Sequence, residues 1–179
     1  MPSRRQVLVS LAAAPALAAE WKDPFARNWR DSFLKHWQVT KDYTLAFADA
    51  MPAEHYGFKP IEIQRNYAEQ LLHLGAANVA YMAAFGVKPP PARVTATDKA
   101  AVRAYLAATF DYLTEVLQSI AENDLIRKDL KIAPRIPAHS GTDLFMRAYM
   151  HTAHHRGQLV NYVRAKGITP PTWAFEPTV

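Results

Sequence analysis

The chain has 179 residues, half of them hydrophobic and 21% charged, the balance of one globule large enough to bury a sizeable core. Its formal charge is +5, but the lysines and arginines are scattered and form no basic stripe with interleaved aromatics, so nucleic acid is not an expected partner. The lack of cysteine excludes disulfides, thiolate nucleophiles and cysteine-type zinc sites, leaving imidazole, carboxylate and water to bind any metal.

Near its start the chain carries Arg4 and Arg5, then an apolar stretch from Val7 to Ala14, Pro15 and an A-x-A sequence at Ala16-Leu17-Ala18. Two arginines, a short hydrophobic region and a small-residue cleavage site are the physical pattern of an export signal, and resemble the twin-arginine type. The stretch is too short to span a bilayer, and no later run reaches the roughly 18 apolar residues a spanning helix needs. Residues 1–19 are therefore expected to be a signal peptide, residues 20–179 a single domain, and the destination the periplasm. Of 21 basic residues, removing Arg4 and Arg5 leaves 19 against 16 acidic, a formal charge of +3.

Beyond the signal, proline and glycine divide the chain into helical segments. The first runs from about Phe25 to Ala50 and stops at Met51-Pro52. The second covers about Gln64 to Phe85, with Gly86 and Pro89-Pro90-Pro91 behind it. Thr97-Asp98 reads as the cap of a third, from about Lys99 to Glu122. A loop containing Pro134, Pro137 and Gly141 follows, and Thr142 reads as the cap of a fourth helix ending near Lys166, before Gly167 and Pro170-Pro171. No window alternates as a strand would, and there is no internal repeat. The expected fold class is all-α, a four-helix bundle with helices roughly 35 Å long.

The fourth segment carries His151-Thr152-Ala153-His154-His155-Arg156-Gly157-Gln158. At about 100° per residue, Leu144, Ala148, His155, Leu159 and Tyr162 share one face, which Phe145 and Val163 widen. His151 lies at the edge of that face, whereas His154 projects toward Asp143, Arg147 and Asn161, on the solvent side. Two imidazoles four residues apart on a helix can converge on one metal ion. The spacing alone is weak evidence in a chain with seven histidines. Burial strengthens it, because paired neutral imidazoles in a core have polar nitrogens to satisfy; tyrosine or glutamine side chains would satisfy them equally. On the second segment His73 lies on a stripe with Ala77, Ala80 and Ala84. Those small residues suit a close approach of a neighbouring helix, and equally a half-exposed surface.

The His151-x-x-x-His155-Arg156-Gly157-Gln158 motif, the earlier Leu72-His73 pair, the closing Gly167-Ile168-Thr169-Pro170-Pro171 and the stretch from Met51 to Pro60 together resemble the DinB family, over about Trp29 to Trp173. The resemblance implies a four-helix bundle of the DinB/YfiT-like type holding a divalent metal through three histidines, which fall on His73, His151 and His155. It also implies a metal-dependent transferase, hydrolase or isomerase type of chemistry on a small molecule, with low-molecular-weight thiols used by some relatives, and an assembly that is often dimeric. Three imidazoles fit zinc, nickel or iron alike, and such an ion can lower the pKa of bound water or ionise a thiol. The alternative is a non-catalytic metal-binding or structural bundle. An oxidising destination counts against a cytoplasmic thiol cosubstrate.

Other residues read more plainly. Gln158 lies one turn past His155, at the ligand edge or on the helix surface. Arg156 points away from His155 and is expected to pair with a carboxylate of another helix. Tyr81 and Asn78 line a pocket or fill the core. His36, His55 and His139 have no partner at ligand spacing, and Trp29, Trp37 and Trp173 read as packing residues. No Gly-rich phosphate loop, Gly-x-Ser-x-Gly elbow or Ser–His–Asp triad is recognisable.

Overall fold

The structure, a computed structural model, describes residues 20–95 and 97–173. The expected signal peptide lies outside these residues. Four long helices carry the fold: α1, Pro24–Ala50; α2, Tyr67–Ala83; α3, Lys99–Ser119; and α4, Gly141–Ala165. The described residues contain no strand, only an isolated bridge between Leu130 and His139 in the α3–α4 loop. No helix among them is long and apolar enough to cross a membrane. The all-α four-helix architecture expected from the sequence is the one observed.

Local chemistry fixes where each helix starts. Asp23 caps α1 by accepting the Phe25 and Ala26 N–H groups, and Pro24 occupies the first turn, where its missing N–H costs nothing. Asn66 and Glu69 form a reciprocal capping box: each side chain takes the other's backbone N–H at 2.8 Å. This box starts α2 at Tyr67, three residues later than the hydrophobic pattern suggests. Asp98 caps α3, as its position predicts. The cap of α4 is Ser140 rather than Thr142, accepting the Asp143 N–H at 3.2 Å. Gly141 then opens the helix against the Asp124–Leu125 turn, where an added Cβ would sit 2.1 Å from the Asp124 carbonyl oxygen. At the far end Gly167 adopts φ 71°, and the Ile168 N–H closes back on the Val163 carbonyl.

Helix α2 packs against α3 and α4, and α1 packs against the same pair, so α1 faces α2 across the core. Aromatic residues of α1 fill the middle. Phe33 stacks between Trp29 and Trp37 and meets the edge of Phe145 of α4, while the Trp37 indole donates to the Phe110 carbonyl of α3 at 3.1 Å. The segment before α1 is tied down as well: Trp21 is buried and donates to the Ile120 carbonyl, and Glu122 accepts the Lys22 and Asp23 N–H groups. This packing leaves the facing sides of α2 and α4 to hold polar side chains between them.

Candidate metal centre

The face of α4 inferred from periodicity is the buried one: Leu144, Phe145, Ala148, His155, Leu159, Tyr162 and Val163 are all inside. His151 lies half-buried at its edge and His154 is exposed. Helix α2 lies alongside and presents His73, also half-buried. The imidazole rings of His73, His151 and His155 have centroids 4.3 to 5.2 Å apart, and one nitrogen from each lies within 4.8 Å of the others. The structure thus brings together the three histidines singled out in the sequence. His36, His55 and His139 stand apart from this group.

The His151 and His155 Nε2 atoms face each other 3.0 Å apart. Two uncharged rings tolerate that distance only if one donates an N–H to the other's lone pair. Ligand nitrogens of a tetrahedral site with bonds of about 2.0–2.1 Å sit roughly 3.3 Å apart, so the observed spacing suits a shared ion with little adjustment. Burial holds both rings well below the usual imidazole range, at about 4, assisted by the repulsion of neighbouring imidazoles and of Arg65. His73 is lowered too, by burial first and then by Arg65. All three are therefore neutral at pH 7, the form with a lone pair to give.

The outer nitrogens have unequal surroundings. Around His155 Nδ1 the Gln70 amide nitrogen lies at 2.7 Å and the Gln158 Oε1 at 2.9 Å, and Gln70 donates to Gln158. When His155 binds through Nε2, its Nδ1 must carry the proton, and Gln158 Oε1 is in place to accept it. The Gln70 amide, by donating to Gln158 Oε1, holds that acceptor beside the ring. Gln158 also donates to the exposed His154 Nε2 at 3.1 Å, so His154 touches the site through an intermediary and not as a ligand. The His151 Nδ1 is buried and has no partner among the described residues. Asn78 lies across from Thr152, whose hydroxyl donates to its Oδ1, and both are fully buried. The donor set, its neutrality and the polar support behind His155 fit a divalent cation.

The fold and these residues match a known group of proteins. The sequence model of the DinB superfamily matches residues 36–159, from the middle of α1 through most of α4 and more than half of the chain. The chain belongs to the DinB superfamily. No curated protein matches it. Among solved structures, a DinB-like protein from Bacillus cereus ATCC 10987 superimposes with a TM-score of 0.69 at 20% identity, over 78% of this chain and 94% of that one. A DinB-like protein from Bacillus subtilis gives 0.62 at 24% identity, over 79% and 96%. At such identities the likeness is one of fold.

Gln70 is the residue that periodicity did not single out. It is 3% exposed, one turn before His73, on the side of α2 that meets α4. A buried amide three residues from a candidate ligand was the available signal. Arg156 departs from expectation in the other direction. It is buried, yet no carboxylate among the described residues faces it; its guanidinium lies over the Tyr43 ring at 4.6 Å and beside Trp173 at 5.3 Å, with the Thr44 hydroxyl 3.4 Å away. Aromatic faces on α1 and the C-terminal segment take the place of the expected ion pair.

Proposed function

We propose that this DinB-superfamily protein binds one divalent metal ion through His73, His151 and His155 and acts as a metal-dependent transferase or hydrolase on a small molecule. The observation that carries the reading is the convergence of three neutral imidazole nitrogens from two helices within 4.8 Å. A borderline cation such as zinc, nickel or iron suits an all-nitrogen donor set. Because three neutral ligands leave its charge uncompensated, such an ion would supply Lewis-acid activation of whatever binds beside it. The protein's part is to hold and orient. His151 and His155 are fixed one turn apart on α4, His73 comes from α2, and Gln158 Oε1, itself held by the Gln70 amide, is placed to accept the outer proton of His155. A cleft beside His73 gives a small molecule access from solvent. We further propose that residues 1–19 direct export; cell fractionation with a reporter fused to that segment tests this.

Metal analysis of the purified protein is the direct test. About one ion per chain is expected in the wild type, far less in His73→Ala, His151→Ala and His155→Ala, and an unchanged content in His154→Ala. Undiminished metal in any of the three triad variants would remove the proposal. Catalysis is tested by comparing metal-loaded with metal-stripped protein against electrophilic substrates and thiol or water nucleophiles. A fully loaded protein that turns over none of them would leave the non-catalytic metal-binding reading in its place.

A further inference from the structure

The cleft that reaches His73 has a volume of about 620 Å³, within the range of small-molecule sites. Two arginines line it from different segments: Arg65 from the turn just before α2, and Arg93 from the loop joining α2 to α3. Neither guanidinium makes an ion pair or side-chain hydrogen bond with any described residue, whereas Arg103, Arg127 and Arg147 all lie against carboxylates. The one acidic residue in the lining, Glu69, is turned back to the Asn66 N–H in the capping box. Two cations thus face one carboxylate that is already engaged, beside the imidazole of His73.

Arg65 is held in register with the site. The Tyr162 hydroxyl of α4 donates to the Arg65 carbonyl at 2.6 Å, pinning the entry to α2 against the helix that carries His151 and His155. Its side chain lines the same cleft as His73. Arg65 also borders a second cleft, of about 430 Å³, lined by Gln158, Asn161 and Tyr162. The positive charge therefore stands at the rim of the triad on the solvent side. Planar guanidinium forks from two directions match the oxygens of a carboxylate or phosphate, not a neutral ligand.

We propose that the cleft beside His73 is a binding site for a small anion bearing a carboxylate or phosphate, clamped by Arg65 and Arg93, and that this group is the handle by which the substrate is presented to the triad. The second half of the statement rests on the reading of the triad as a metal centre; anion binding itself does not.

The test is calorimetric titration of the full chain with succinate and, separately, with inorganic phosphate at low ionic strength, using metal-loaded and metal-stripped protein. Arg65→Gln and Arg93→Gln should each weaken binding of the preferred probe about tenfold or more, with metal content unchanged, while the exposed Arg27→Gln leaves it as in the wild type. The tighter of the two probes identifies the group as carboxylate or phosphate. Binding of neither probe to the wild type would overturn the proposal. So would affinity that survives both arginine substitutions, or affinity that vanishes on metal stripping yet ignores them. A chain that binds the anion but holds no metal would instead retain the anion site and end the metal reading.

Discussion

Replacing Gln70 by methionine keeps a flexible side chain of similar reach at a site 3% exposed, but removes the amide that donates to Gln158 Oε1, the acceptor beside His155 Nδ1. A neutral hydrogen bond contributes a net 0.5 to 1.5 kcal/mol, about half a decade to one decade in affinity. Gln158 Oε1 remains 2.9 Å from the same nitrogen, so the single variant should bind zinc only about three- to tenfold more weakly. Removing both supports, in Gln70→Met with Gln158→Met, leaves the His155 N–H without an acceptor. The expected loss then rises to about 10- to 100-fold, the usual cost of deleting the partners behind a ligating histidine. Competition with a chromogenic chelator reads these affinities, and the melting temperature of stripped protein shows whether each variant is folded. Zinc affinity within twofold of wild type for a folded double variant would refute the idea that these amides orient His155.

Acidity offers an independent check on the triad. His151 and His155 have pKa values of about 4 in the folded chain against about 6.5 when unfolded, so between these limits the unfolded chain binds more protons. Stability of the stripped protein should therefore be fullest above pH 6.5 and fall as the pH drops toward 4, and a His151→Leu, His155→Leu variant should show a flatter profile over that window. The lowered carboxyls of Asp129 and Asp143 act only below it, so they do not confuse the reading. A melting temperature independent of pH from 4 to 7 in the wild type would contradict the burial argument. Gly141→Ala forces a Cβ to within 2.1 Å of the Asp124 carbonyl oxygen and should cost about 3 kcal/mol in chemical denaturation. Gly157→Ala meets nothing within 4 Å on its exposed helical face and should gain up to about 1 kcal/mol.

Much of this protein is local, and local features can be read without a fold. Proline, glycine and capping residues delimit helices by backbone chemistry alone, which is why Pro24–Ala50, Asp98 and Gly167 fall where the pattern puts them. The 3.6-residue period separated inward His155 from outward His154, because direction around one helix is set by that helix's own geometry. Where two local signals competed, periodicity lost to hydrogen bonding: the Asn66–Glu69 box set the start of α2, and Ser140 displaced Thr142 as the cap of α4.

Relations between helices belong to the tertiary structure. Residue spacing left His73 on an alanine stripe with two readings, and resemblance to a family favoured one. Packing of α2 against α4 is what sets its ring 4.7 Å from that of His155. That packing also placed Gln70 against His155, 85 residues away, while the packing of α4 on α1 set the Arg156 guanidinium over Tyr43 instead of a carboxylate, and the fold brought Arg65 and Arg93 to one cleft. Period and capping act within a few residues of the chain, so they determine which way a side chain leaves its helix. What it meets there depends on how distant helices pack, and only the folded bundle decides it.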